Sequence, residues 1–394
     1  MVTGGVAAFK SLEVIRTLCD LGYEVETVLT EAAEQFVGVQ SVAATAHASP
    51  YRAMFGASPS PHTELAEWAD LVVIVPATAD FLAKMANGFG DDLASTLILA
   101  FDGPVVVAPA MHSAMWESSS TQRNIATLIA DGVHVIGPTQ GRLAGGDVGV
   151  GRLVDPSWVV EAVRYWLEPT AASLAGWRVT VSVGGTREAI DAVRFIGNRS
   201  SGLQGYALAQ VAAVAGATVQ CVATVDPPMP ADLIEVVRVE SAEEMLVAMR
   251  RAQADSVRSG PQVLIMSAAV ADFRVAEPFS GKVKRADRER LELSLIPNPD
   301  ILAELVAHRA DGQLIVGFAA EVEHLEESVA HKLAVKGVDL VVGNNIAVPG
   351  SEFGSTTNAV YLLDRLGRAQ HVPLAPKAEI ARAILAAITA LAEV

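Results

Sequence analysis

The sequence predicts an α/β protein built from two doubly wound parallel-sheet domains in tandem. Three observations carry this. Runs such as LVVIVPA and PVVVAPA are apolar without alternation, as in strands covered on both faces. Such runs alternate with helical patterns along the whole chain, which is the βαβ rhythm of a parallel sheet. The 394 residues exceed one ordinary core, and the stretch EPTAASLAG at 168–176 reads as a linker. The expected division is therefore a first domain at 1–167, the linker, and a second domain at 177–394.

In the first domain the patterns predict strands at 24–29, 71–75, 105–108 and 133–136. Helical patterns cover 9–20, 31–37, 92–101, 121–130 and 156–167. The start departs from the βαβ rule, because Gly4-Gly5 leads into a helix with no strand ahead of it. In a doubly wound sheet that strand is central. The expectation is a native chain that begins several residues earlier. In the second domain strands are expected at 178–183, 218–223, 263–267, 314–318 and 340–342. Helices are expected at 203–215, 242–253, 301–308, 325–336 and 377–392, with a hairpin at 359–373 turning at Arg365-Leu366-Gly367.

Composition narrows the function classes. A net charge of −16 argues against nucleic acid as a partner, since phosphate backbones require a basic face. No stretch reaches the ~18 apolar residues of a membrane span, and MVTGGVAAFK lacks the parts of a secretory signal. The two cysteines, Cys19 and Cys221, read as buried thiols in a reducing compartment, so a cytoplasmic location is expected. Small phosphorylated ligands remain compatible with an acidic chain, because they need only local cations and aimed N–H groups.

The second domain carries the denser motif, SVGGTREAIDAVRFIGNRSSGLQGYALA. Gly184-Gly185 permits a tight strand exit. Asn198, Ser200, Ser201 and Gly202 sit at a helix N-terminus, where N–H groups attract anions. Arg187, Arg194 and Arg199 add cations, although solvated arginines on a capped loop would look the same. The G-x-G-x-x-G fingerprint is absent, which weighs against a dinucleotide reductase. SAAVADF places Asp272 past a strand end, and GKVKR supplies Lys282, Lys284 and Arg285 ten residues on. IPNPDI puts Pro299 at a helix start with Asp300 in the first turn. Phe318 closes GFAAE, and Lys332 and Lys336 lie one helical turn apart, spaced to grip phosphates together.

Taken in order, TRE, N-x-S-S-G, AAVADF, K-x-K, NPDI, GFAAE and the late K…K pair resemble the ligase half of the bifunctional phosphopantothenoylcysteine decarboxylase / phosphopantothenate–cysteine ligase family. The resemblance spans nearly all of 178–345. It implies a Rossmann-like ligase domain that joins 4′-phosphopantothenate to cysteine at the expense of CTP, through an acyl-cytidylate. By position, Ser267, Ala268, Asp272, Lys282, Pro299, Asp300, Ile301, Leu302, Phe318, Lys332 and Lys336 would hold CTP. Asn198 would donate to the developing oxyanion with Arg194 as its partner, and Asp272 would bind Mg²⁺ (or Mn²⁺). Where the family has G-P-T-R-E, this chain has Gly184-Gly185-Thr186-Arg187-Glu188.

The first domain places small residues and hydroxyls at expected strand ends: Gly4, Gly5, Thr30, the run Pro76, Ala77, Thr78, Ala79, and then Pro109, Ala110, Met111. Tight helix–sheet packing would explain them equally. They also resemble the flavodoxin-like flavin half of the same family, which implies FMN at these positions and decarboxylation of phosphopantothenoylcysteine. In that chemistry FMN oxidises the substrate thiol, carbon dioxide leaves, and a protein group protonates the product. His62 in PHTELAEW matches the family's catalytic histidine. Two positions depart from the pattern. PAMHSAMW has His112 where the family has Asn, and LAGGDVGVGRL has Gly145 where the family has its flap cysteine. Glycine cannot give a proton, and His112 is chemically able to, or it only binds the substrate carboxylate. The resemblance further implies homo-oligomers, with trimeric flavin domains and dimeric ligase domains. The alternatives are a ligase on an impaired flavin scaffold and a non-catalytic flavoprotein subunit.

Overall fold

The structure is a computed structural model that describes all residues except 56–58, 168–172, 229, 255–259, 284–289, 322, 353 and 394. Two compact units divide between residues 169 and 170. The first five residues of the expected linker, and Lys284 and Arg285, lie outside the described residues.

In the first unit, strands β1 (Val72–Ala77), β2 (Val105–Pro109) and β3 (His134–Val135) form a parallel sheet. Both long strands are almost wholly buried, as their unalternated valines require. Residues 1–3 take the position of the strand expected to be missing. Val2 bridges Leu29 on one side, and on the other the Val75 N–H donates to the Met1 carbonyl at 3.0 Å. The expected strand 24–29 shrinks to Val28 and Leu29, because its flanking segments offer one bridging residue each, Val2 and Tyr51. The expected helix 31–37 is only a 3₁₀ turn, Ala33–Gln35. Helices missed by periodicity are Val39–Ala46, Pro61–Trp68 and Ala79–Ala86, each eight residues and too short for a clear repeat. A hairpin of β4 (Thr139–Arg142) and β5 (Val148–Arg152) carries Gly145 in its turn.

The second unit holds β6 (Arg178–Val183), the small hairpin β7 (Arg187–Ala189) with β8 (Phe195–Gly197), then β9 (Thr218–Ala223), β10 (Ile234–Arg238) and β11 (Gln262–Met266). A second small hairpin pairs β12 (Phe273–Val275) with β13 (Leu295–Pro297). The chain continues through β14 (Gln313–Glu321), β15 (Leu340–Asn345), β16 (Thr357–Asp364) and β17 (Ala369–Pro376). The main sheet runs β10-β9-β6-β11-β14-β15-β16-β17, with β16 and β17 antiparallel. The helix Leu203–Val214 is buried nearly all round, packed between this sheet and the C-terminal helix Lys377–Ala392. The core joins Met245, Leu264, Leu305, Ile315 and Val341, all 0 % exposed. Cys221 is buried and Cys19 half-buried, and both are free thiols.

Candidate active sites

Doubly wound sheets bind ligands outside the carboxyl ends of their strands, where the strand order reverses. In the second unit the reversal falls between β6 and β11. A serine pair stitches that point: Ser267 Oγ donates to the Ser182 carbonyl at 2.7 Å, and Ser182 Oγ accepts from the Ala268 N–H at 3.1 Å. A cavity of about 930 Å³ opens there. It collects Asn198, Ser267, Ala268 and Asp272, the segment 299–302, Phe318, Lys332 and Lys336. Arg194 and Lys282 are not among its lining residues.

Three contacts orient the motif residues. Asn198 Nδ2 donates to the Val270 carbonyl at 2.9 Å, which leaves one of its two amide N–H groups for the cavity. Gly185 is forced by close approach, since a Cβ there would stand 2.4 Å from the Asn198 carbonyl oxygen. The Ala271 N–H donates to Thr186 Oγ1 at 2.9 Å, tying the TRE loop to the strand end that carries Asp272.

The cations are arranged differently from the sequence expectation. Asp300 precedes the helix Ile301–Ala307 and caps it, accepting from the Ala303 N–H at 3.0 Å, so it stands before the first turn and not in it. Lys336 pairs with that same carboxylate, and Lys332 donates to the Phe318 carbonyl. The two lysines are thus held apart by separate partners. Burial, and then the neighbouring Lys336, lower the Lys332 pKa. Arg194 does not partner Asn198. Its Nε donates to Asp191 at 3.0 Å and its Nη2 to the Val283 carbonyl at 2.7 Å. The Arg194 hydrogen bond, opposed by burial and helped by backbone N–H groups, holds the Asp191 carboxyl well below the usual carboxylate range. Val283 N–H donates to the same carboxylate at 3.1 Å, so the segment bearing the exposed Lys282 is anchored at its base. Among the described residues no group of three or more acidic, histidine or cysteine side chains surrounds a metal position, and the exposed Asp272 shares the cavity lining with Asp300, Glu321 and Glu352.

In the first unit the reversal lies between residues 1–3 and β1. A hydroxyl again stitches it: Thr3 Oγ1 donates to the Pro76 carbonyl at 2.6 Å and accepts from the Thr78 N–H at 3.2 Å. Thr78 caps the helix Ala79–Ala86, and Thr30 Oγ1 accepts from the Ala33 N–H. A cavity of about 1180 Å³ takes in Gly4, Gly5, Thr30, Thr78, Ala79, Ala110, Met111 and His112. Pro76, Ala77 and Pro109 are strand residues behind this surface; Ala77 is 0 % exposed. Thr3, Arg52, Met54 and Arg142 also line it, and sequence reasoning missed them because they stand outside any spaced motif. Gly4 is required by packing, since a Cβ there would stand 2.3 Å from Ala32 Cβ, so its small size answers to the fold before any ligand.

The flap reaches this cavity through Arg142, Leu143, Ala144 and Gly145. The Met111 N–H donates to the Gly151 carbonyl at 2.9 Å, and His112 Nε2 lies 2.9 Å from Asp147 Oδ2. His112 Nδ1 accepts from the Ala114 N–H at 3.2 Å, so the proton shared with Asp147 is on Nε2. A Cβ built at Gly145 would stand 2.9 Å from Asp147 Oδ1. The acid therefore occupies the space where a flap cysteine would begin. His62, the second residue of the helix Pro61–Trp68, is half-buried with Nδ1 unpartnered, and it does not line the cavity of its own chain. That helix packs on Leu93–Ala100, which fixes its place in the fold.

Comparison with known proteins gives two family matches. Residues 1–168 match the family described as Flavoprotein, and residues 174–391 match the DNA/pantothenate metabolism flavoprotein C-terminal domain. Proteins described as coenzyme A biosynthesis bifunctional protein CoaBC are similar along almost the whole chain. That of Vibrio vulnificus is 38% identical, covering 99% of this chain and 96% of its own. That of Bacillus subtilis is 38% identical, covering 100% and 96%. That of Mycobacterium tuberculosis is 41% identical, covering 92% and 88%. No described helix is long and apolar enough to cross a membrane.

Proposed function

The chain belongs to the CoaBC family of bifunctional coenzyme A biosynthesis enzymes, which join a phosphopantothenoylcysteine decarboxylase to a phosphopantothenate–cysteine ligase, and from that premise we propose how its residues divide the work. In the ligase half CTP fills the cavity at the β6–β11 switch point. The carboxylate of 4′-phosphopantothenate attacks the α-phosphorus, the bond to the β-phosphate oxygen breaks, and pyrophosphate carries away the electron pair. The cysteine amine then attacks the acyl carbon and CMP leaves. Asn198, oriented by its bond to Val270, gives its second N–H to the oxyanion of that step. Lys332 holds the nucleotide, Lys336 joins it on leaving its Asp300 partner, and Lys282 answers the triphosphate from its anchored segment. Asp272 would be a ligand for Mg²⁺ (or Mn²⁺), which would be held chiefly by the phosphates.

The observation that carries this reading is the meeting of Asn198, Ser267, Asp272 and Lys332, far apart in sequence, on one cavity at a switch point. Its test is Asn198→Ala with CTP, phosphopantothenate and cysteine. Pyrophosphate release should persist for one turnover while acyl-cytidylate accumulates, and amide formation should fall by about 100-fold or more. Unchanged amide formation would refute the role.

In the flavin half Thr3, Thr30 and Thr78 with Gly4 and Gly5 would hold FMN, which supplies the oxidation of the substrate thiol and the return of its electrons. Arg142 lines that cavity as a cation for an anionic substrate, whereas Arg52 is already engaged by Glu34, its Nε donating at 2.7 Å. His112, held by Asp147 in the space of the missing flap cysteine, gives the proton to the decarboxylated substrate. A second reading, a working ligase on an impaired flavin scaffold, rests on Gly145. A mass-balance assay on the purified protein separates the two: amide alone supports the scaffold, and amide followed by its decarboxylated product supports both activities. A cytoplasmic location and homo-oligomers, with trimeric flavin halves and dimeric ligase halves, belong to the same proposal.

A further inference from the structure

We propose that Lys377, absent from every motif above, is a phosphate ligand of the ligase cavity that grips the terminal phosphates leaving as pyrophosphate. The inference rests on reading this cavity as a nucleoside triphosphate site. Lys377 opens the C-terminal helix and lines the cavity together with Asn198, Asp272 and Lys332. Its backbone is fixed from both sides. Its N–H donates to the Thr356 carbonyl at 3.1 Å, and its own carbonyl accepts from Gln204 Nε2 at 3.2 Å. The Gln204 oxygen in turn accepts from Asn358 Nδ2 at 3.3 Å. Gln204 belongs to the first turn of the helix Leu203–Val214, whose N-terminal Ser200, Ser201 and Gly202 line the same cavity. Lys377 therefore shares its cavity with a helix N-terminus whose backbone dipoles favour an anion.

Its charge is unanswered. Lys377 Nζ donates to the Thr357 carbonyl at 2.8 Å, and among the described residues no carboxylate pairs with it. Lys336, by contrast, is already engaged by Asp300. Two of the three ammonium N–H groups remain for a ligand. Burial lowers the Lys377 pKa, a penalty on the charged form that a bound phosphate would offset. When the bond from the α-phosphorus to the bridging oxygen breaks, negative charge grows on the β-phosphate. A fixed cation there stabilises the departing group.

The test uses the full-length protein with Lys377→Gln, which keeps an N–H donor for Thr357, and Lys377→Arg, with thermal melting to confirm that both fold. Inorganic pyrophosphate and CMP serve as inhibitors. Lys377→Gln should weaken inhibition by pyrophosphate and raise the KM for CTP by about tenfold or more. Inhibition by CMP and the KM for cysteine should stay unchanged, and Lys377→Arg should recover most of the loss. Unchanged inhibition by pyrophosphate overturns the proposal. A rise confined to the KM for cysteine also overturns it and gives Lys377 to the amino-acid carboxylate. Lys332→Ala is the control. If it too leaves every nucleotide constant unchanged, the nucleotide reading of the cavity has failed, and the proposal falls with it.

Discussion

His112 and Asp191 show how far a single side chain's role can be read before its neighbours are known. The sequence singles out His112 because it stands where an asparagine is expected beside a missing cysteine. Only the fold brings Asp147 to its Nε2, 2.9 Å away. Replacing His112 by Asn should cut decarboxylated product by about 100-fold while leaving amide formation and bound flavin absorbance unchanged. Equal product from the variant would make His112 a bystander. Asp191 sits in the motif without looking special, yet its side chain is wholly enclosed and accepts from Arg194, Val193 and Val283. Its carboxyl is depressed, so its stabilisation is complete above the ordinary aspartate range and is lost as pH falls through the lower native value. Asp191→Asn should destabilise the ligase half at neutral pH and flatten its stability loss below about pH 4. An acid-unfolding profile that keeps the same slope in both proteins would contradict this.

Short elements do the positioning, and they are where sequence patterns fail. The hairpin β7–β8 holds Asp191 and Arg194 over the base of the Lys282 segment, and the hairpin β4–β5 carries Asp147 to His112. Strands of three to five residues give too few repeats for a period to register. The helix Ile301–Ala307 is expected from its pattern, but only the fold brings Lys336 to its Asp300 cap. Asp300→Ala should cost about 1 kcal/mol of stability, read by denaturant unfolding. It should also release Lys336, so that nucleotide affinity holds or rises while stability falls. Loss of affinity with no loss of stability would make Asp300 a direct nucleotide ligand instead.

Across the whole chain, each unit uses the same device at its switch point, a hydroxyl donating to the carbonyl of the adjoining strand: Thr3 to Pro76, and Ser267 to Ser182. His62 is the exception to local completeness, since it stays off the cavity of its own chain. In a trimer a neighbouring copy would supply it. Mixed oligomers of His62→Asn and Thr78→Arg chains should then regain decarboxylation that neither variant has alone, and mixtures that stay inactive would count against shared sites. The main strands and helices of the two α/β sheets and the ligase motifs were determined by the sequence itself, because apolar runs, glycines and capping residues act locally, whereas the short hairpins and three eight-residue helices of the first unit were not. The tertiary structure alone decided which cations are free and which are spent. Arg194 went to Asp191, Lys336 to Asp300, and Lys377 was left facing the cavity, because pairing depends on distances between segments that no spacing along the chain encodes.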